Sequence, residues 1–468
     1  MRLNRRIIIV FMTVSLMFLA LISYISYFAL MKMEAVASDP NDKRRWSYDN
    51  LVLRGSIFDK NGTLLAYTES SEDENGGRLR VYPFGNLYSH VIGYNSLIYG
   101  KSLLEKSFDN LLNGRNSIEV SLNLPPSSDR GYDLNLTIDH TLQLLAYNKL
   151  GKRNGAVVAV NPTEGAVLAM VSKPDFNPNH HELEAAWESL ISDETSPLFP
   201  RATQGLYPPG SVFKIISSAA VISQNLDTVK FDDKGKVNID GRIFTNYSKL
   251  SMGRLDLNKA FSLSSNCMYA SLCSGIDSDV LRDYALKFGF EKNVNFDFAL
   301  AVSKYPDKDM DKADKAAASI GQWEVLATPM QMALAASVVA NGGISLEPYI
   351  VRNAVDRNTG SVVYEKKVYR GVNVLSPEVS SKIKAMMVEA VRTGTGKSAA
   401  ISGISVAGKT GTAENENKQK NHAWFVAFAP AENPEIAVAV VLEYSGGTGG
   451  SLAAPIARDI MKKYLSSK

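Results

Sequence analysis

The chain has 468 residues, 45% of them hydrophobic and 21% charged, which supports two or three folded domains and excludes a disordered protein. Its 51 basic and 48 acidic residues leave a net charge of +3, too balanced for a general polyanion binder, so nucleic acid is excluded as a partner class. Only Cys267 and Cys273 are available as thiols; they exclude a disulfide framework and are expected to be two buried free cysteines.

In chain order, residues 7–31 carry no charged side chain and are long enough to cross a bilayer, behind a six-residue head holding Arg2, Arg5 and Arg6. This predicts a membrane anchor that is kept, because a signal peptide has a shorter apolar core of roughly 7–15 residues. Ala35-Val36-Ala37 nevertheless has the small-residue pattern of a cleavage site. Lys32, Lys43, Arg44 and Arg45 follow the span, so counting positive charges does not orient it. A polar tether (38–45) leads to Arg54-Gly55-Ser56-Ile57-Phe58, then to the turn Asp59-Lys60-Asn61-Gly62, then to a second apolar run, which together predict a hairpin. Residues 70–77 read as an acidic loop, 78–114 as short strands with a helix over 101–112, and 123–131 as a Pro/Ser-rich linker. Residues 32–130 are therefore expected to form a β-rich pedestal, and 131–468 a second, larger domain.

In that domain a helix is predicted over 139–150, and buried strands over 155–160 and 166–171 joined by the turn Asn161-Pro162-Thr163-Glu164-Gly165. A helical, loop-rich stretch covers 180–340, and late strands are predicted over 405–412, 422–429 and 435–442. Strands at both ends with helices between them predict an α+β fold: one antiparallel sheet closed by the two ends of the domain, flanked by helices, with a mainly helical subdomain.

The helical stretch contains Tyr207-Pro208-Pro209-Gly210-Ser211-Val212-Phe213-Lys214, then an apolar run from Ile215. The prolines and glycine stop what precedes and put Ser211 at a helix start, with Lys214 one turn on. A serine hydroxyl needs a base to become a nucleophile, and a desolvated lysine is one. Taken singly, a capping serine and a solvated lysine explain S-x-x-K equally well. Further on, Ser264-Ser265-Asn266 offers a second hydroxyl beside an amide, and Lys409-Thr410-Gly411-Thr412 ends an apolar strand with groups suited to a substrate carboxylate and to close backbone approach.

In this order the three stretches resemble the signature of penicillin-binding proteins and class A β-lactamases. The likeness to class B penicillin-binding proteins spans nearly the whole chain. It includes Arg54 to Ala66, the 155–179 region, Thr328-Pro329-Met330-Gln331, His422-Ala423-Trp424-Phe425 and Ala453-Ala454-Pro455-Ile456-Ala457-Arg458. The short N-terminal region is similar to small members without long insertions. The resemblance implies a peptidoglycan D,D-transpeptidase acting on D-Ala-D-Ala stem peptides and trapped by β-lactams. Ser211 would be the nucleophile, Lys214 its base, Ser264 the proton relay and Lys409 its electrostatic partner. Asn266, Thr410, Gly411 and Thr412 would hold the substrate, and the backbone N–H groups of Ser211 and Thr412 would form the oxyanion hole. No cofactor or metal is implied. The resemblance also implies a single-pass membrane protein with a cytoplasmic N-terminus and an extracytoplasmic catalytic domain. Its expected partner is a membrane-embedded glycosyltransferase of the shape–elongation–division–sporulation (SEDS) family.

Ser265 departs from the aspartate of S-D-N, and 290–303 lacks the E-x-x-L-N segment of a class A β-lactamase. A membrane-anchored β-lactamase, a D,D-carboxypeptidase and a catalytically weak scaffold stand as alternatives. The histidines (90, 140, 180, 181, 422) give no Ser-His-Asp pattern; His422, the one near a hydroxyl motif, is assigned to a strand face.

Overall fold

The computed structural model describes residues 5–31, 52–70, 78–115, 129–247, 249–306, 309–368, 371–413 and 420–467. The predicted tether, the cleavage-like Ala35–Ala37 site, the acidic loop at 71–77 and linker residues 123–128 lie outside them. The first element is the helix Arg5–Met31. Its stretch Arg5–Phe28 is long and apolar enough to cross a membrane and packs against nothing.

The predicted hairpin is present. Ile57–Phe58 pairs antiparallel with Leu64–Ser70, and Asp59 Oδ1 accepts from Asn61 N at 2.9 Å and Thr63 N at 2.7 Å. Gly62 closes the turn at φ +84°, where a side chain would be strained. The sheet around this hairpin runs Val362–Glu365, Val351–Val355, Asp133–Leu136, Ile57–Phe58, Leu64–Ser70, Arg78–Val81. Strands from far along the chain thus complete the N-terminal sheet. The helix expected over 101–112 is two short helices, Leu103–Ser107 and Asp109–Leu112, broken at Phe108. Apolar spacing alone concealed the reason: Glu105 and Asp109 both turn inward onto buried Arg54, at 2.7 and 2.6 Å.

The larger lobe is built on an antiparallel sheet ordered Ala407–Ala413, His422–Ala429, Ile436–Leu442, Gly155–Val160, Val167–Lys173. Early and late strands meet as expected. One face packs on the helices Lys214–Ser223 and Pro329–Ala340, the other on His140–Leu150 and Ala454–Ser466. Cover on both faces is why these strands read as unbroken apolar runs rather than alternating ones. The helical stretch carries two antiparallel strand pairs that periodicity missed: the hairpin Lys236–Ile239 with Arg242–Thr245, and, enclosing it in sequence, Phe231–Asp233 with Gly253–Leu255.

Candidate active site

Ser211 lies half-buried in the single 3₁₀ turn Gly210–Phe213, and the α-helix begins at Lys214. The two-proline entry is pinned from three sides. Tyr207 and Ala327 exchange backbone hydrogen bonds at 3.1 and 2.8 Å, Gly210 N donates to Gly321 O at 2.9 Å, and Trp424 Nε1 donates to Pro208 O at 3.1 Å. Gly321 has φ +72°, and a Cβ there would lie 2.2 Å from Gly210 O, so only glycine lets the two segments touch.

Lys214 is fully buried, and its Nζ donates to Asn266 Oδ1 at 2.8 Å, Ser264 O at 2.9 Å and Ser264 Oγ at 3.3 Å. Lys409, also fully buried, donates to the same Ser264 Oγ at 2.8 Å and to Thr410 O at 3.0 Å. Two buried lysine side chains therefore flank one hydroxyl. Burial brings Lys409 down to about 7. Burial first, and then the Lys409 charge, hold Lys214 well below the ordinary lysine range. The neutral amine that a serine base must be is thus accessible here.

Ser264 has φ +62°, a costly backbone for a residue with a Cβ, and it is fixed by its surroundings. Ser264 N donates to Phe261 O, and Ser265 N to Ala260 O. Ser265 N-caps the helix Asn266–Ser274 by accepting from Met268 N at 3.0 Å. The departure from aspartate at this position is met by a residue that caps equally well.

The strand Ala407–Ala413 sits at the edge of its sheet, against the Ser211 turn. A Cβ on Gly210 would lie 3.0 Å from Thr412 O, and one on Gly411 would lie 2.9 Å from Pro209 O, so small residues on both sides set the approach. Thr412 is half-buried at this rim. Thr410 is placed differently: it is buried, and its hydroxyl pairs with Thr395 Oγ1 at 2.6 Å. The site thus assembles Ser211, Lys214, Ser264, Asn266, Lys409 and Thr412, with Thr410 joined to it through its carbonyl, which accepts from Lys409, while its hydroxyl turns to Thr395.

The penicillin binding protein transpeptidase domain profile matches residues 155–462. The chain belongs to the penicillin-binding protein transpeptidase family. Residues 54–124 match the penicillin binding protein A dimerisation domain. The peptidoglycan D,D-transpeptidase PbpA of Mycolicibacterium smegmatis is 34% identical over 97% of this chain and 97% of its own length. MrdA of Acinetobacter baumannii, a peptidoglycan D,D-transpeptidase, is 30% identical over 83% of this chain and 66% of its own. Among solved structures, penicillin-binding protein A of M. tuberculosis as its ceftriaxone acyl-enzyme superposes with a TM-score of 0.82 at 32% identity, covering 89% of this chain and 99% of that one. A D,D-transpeptidase domain from Eggerthella lenta gives 0.79 at 31% identity, with the same coverages.

Several groups that shape this penicillin-binding protein's site carried no sequence signal of their own. Gly321, Thr395, Asp233 and Asn246 fall outside every repeating pattern, and only their partners reveal them. Behind the serine turn, Glu443 accepts from Tyr207 Oη at 2.6 Å and Arg201 Nε at 2.8 Å. His422 lies buried on its strand and accepts from Tyr444 N at 3.2 Å, as a strand-face residue. Cys267 and Cys273 are buried and free, as expected.

Proposed function

We propose that this penicillin-binding protein is a peptidoglycan D,D-transpeptidase whose acyl-enzyme forms on Ser211. The observation that carries the reading is the pair of buried lysines on Ser264 Oγ, beside a serine held at a helix start. Neutral Lys214 takes the Ser211 proton as Oγ attacks the carbonyl of the penultimate D-alanine. The negative charge that develops on the carbonyl oxygen faces the backbone N–H groups of Ser211 and Thr412. Collapse breaks the peptide bond. Lys214 returns the proton through Ser264, held polar by Lys409, to the departing D-alanine amine. The amine of a neighbouring stem peptide then attacks the ester, loses its proton by the same route in reverse and releases Ser211. Asn266 holds the donor peptide, which extends along the edge strand at Gly411, with its terminal carboxylate at Thr412 and Thr410.

The same substrate orients the chain. Stem peptides lie outside the cytoplasm, so residues 1–6 are cytoplasmic, 7–31 span the bilayer, and the pedestal (32–130) and transpeptidase domain (131–468) are external. We assign the pedestal, next to the anchor in sequence, as the contact for a SEDS-family polymerase.

Intact mass spectrometry of the detergent-solubilised chain with penicillin, beside Ser211→Ala, tests the reading. An adduct that persists for many minutes and is absent from the variant is expected. Rapid loss of the adduct with steady drug turnover points instead to a β-lactamase, and an adduct in both proteins removes Ser211 as nucleophile.

A further inference from the structure

Asp233 ends the strand Phe231–Asp233 and is completely buried, yet no step above uses it. Every contact of its carboxylate is with a donor. Oδ1 accepts from Gly235 N at 2.8 Å and Asn246 Nδ2 at 2.9 Å; Oδ2 accepts from Asn246 Nδ2 at 3.0 Å and Ser265 Oγ at 2.5 Å. With its amide nitrogen committed to the carboxylate, Asn246 turns its carbonyl the other way. Its Oδ1 accepts from Asn266 N at 2.9 Å and Cys267 N at 3.3 Å. One carboxylate therefore fixes the side chain of residue 265 and, through one amide, the backbone of residue 266. Asn266 Nδ2 is held in turn by Thr245 O at 2.9 Å, one residue before Asn246.

We infer that Asp233 is a positioning residue for acylation: through Asn246 and Ser265 it holds the 264–266 segment so that Ser264 Oγ meets both lysines and Asn266 Oδ1 meets Lys214. It touches no reacting atom. Ser264 occupies a backbone conformation that persists only where neighbours over-determine it, and a misplacement of about 1 Å at such a group costs on the order of 10²-fold in rate. Where related signatures carry an aspartate inside the motif, this chain has a serine and receives its carboxylate from a separate strand. The inference rests on Ser211 being the acylated residue.

The test measures acylation by a fluorescent penicillin in the full-length, detergent-solubilised protein, normalised to titrated active sites. Asp233→Asn is expected to acylate about 10- to 100-fold more slowly. Ser265→Asp alone sets two carboxylates against each other in a buried place and is also expected to be slow. The double variant Asp233→Asn/Ser265→Asp reverses the bond, with the carboxylate now on 265 and the amide on 233, and is expected to return to within about threefold of wild type. The acid limb of the pH–rate profile is the readout that a purely structural role leaves in place. The groups acting on Lys214 are Lys409, which opposes its protonation, and Asp233, which favours it; the thiols of Cys267 and Cys273 are pushed up by burial. Asp233→Asn therefore moves that limb to lower pH, and the double variant moves it back.

Wild-type acylation rates and an unmoved limb in Asp233→Asn overturn the inference, as does a folded double variant no faster than the single. Should Asp233→Asn be recovered unfolded, the pair Ser265→Ala and Ser265→Asn carries the test: both lose the hydroxyl bond to Asp233 and keep the Asp233–Asn246 pair, but the asparagine keeps a cap for Met268 N. A rate about 3- to 10-fold slower in both supports the inference, and an unchanged rate in the asparagine variant overturns it. Failure of the wild type to acylate at all is a different result: it removes the Ser211 reading itself.

Discussion

At the scale of single residues, the proposed mechanism makes the charge state of two buried lysines govern the chemistry, and their burial sets what they cost the fold. Lys409 falls from 10.5 to about 7 through burial. Between those values the unfolded chain carries a proton that the folded chain has released, so this residue makes stability rise with pH across that window and imposes a constant penalty below it. Lys409→Met is accordingly expected to raise stability at pH 6 by about 1–2 kcal/mol and to flatten the Tm–pH curve above 7, while slowing acylation about 10²-fold or more. Thermal melts and penicillin acylation on the same preparation check both halves. The pH profile follows from the same pair. In the proposed mechanism, loss of the Lys214 proton, which burial and then the Lys409 charge favour, sets the acid limb, and loss of the Lys409 proton near 7 sets the alkaline limb. Because the Lys409 charge helps depress Lys214, Lys409→Met moves the acid limb to higher pH and removes the alkaline one; stopped-flow acylation between pH 5 and 9 reads both shifts. That Lys214, Ser264, Asn266 and Lys409 meet beside the Ser211 turn was legible in the sequence, because the proposed chemistry demands those residue types at motif spacing. Asp233 and Asn246 were not, since their role is defined by what they hold. Thr410 was legible as a motif member but not in its pairing with Thr395.

At the scale of elements, two contacts carry testable weight. Gly411 lets the edge strand lie against the serine turn: a Cβ there meets Pro209 O and Trp424 Cβ at 2.9 Å and Val212 Cγ1 at 3.1 Å. Gly411→Ala is expected to cost about 1–3 kcal/mol by overpacking and to slow acylation by prising the strand from Ser211, as denaturant melts and acylation kinetics will show. In the N-terminal lobe Glu105 is fully buried between Arg54 at 2.7 Å and Arg80 at 2.8 Å. Burial alone would push its carboxyl up, but Arg80 and Arg54 outweigh that and hold it below its usual range. Its contribution is present above the ordinary carboxylate range and is lost as pH falls through the lowered value. Glu105→Ala leaves two buried guanidiniums short of the carboxylate they share and is expected to destabilise by about 3–5 kcal/mol, measured by urea unfolding. The elements read correctly from sequence, the five strands of the large sheet and the helix from 140 to 150, have long apolar runs or a capping Asp139. Those read wrongly or missed, the broken helix at Phe108 and the strand pairs over 231–255, are short and are shaped by partners distant in the chain.

At the scale of the whole molecule, the apolar N-terminal helix is exposed over residues 5–28, and these residues are buried against neither lobe. A chain lacking residues 1–31 is expected to keep its penicillin acylation rate within about twofold, and a larger loss would give the helix a role beyond tethering.

The two lobes, by contrast, are interlaced. Ile57–Phe58 runs parallel to Asp133–Leu136, and that strand pairs on its other side with Val351–Val355, which follows soon after the fully buried helix Pro329–Ala340. A pull applied to the chain at residue 52 would be met at Ile57–Phe58 by pairing on both sides, with Leu64–Ser70 and with Asp133–Leu136. Three covalent connections join this sheet to the catalytic lobe: after 136, between 340 and 351, and after 365. Neither lobe could therefore be transplanted onto a relative without taking part of the other.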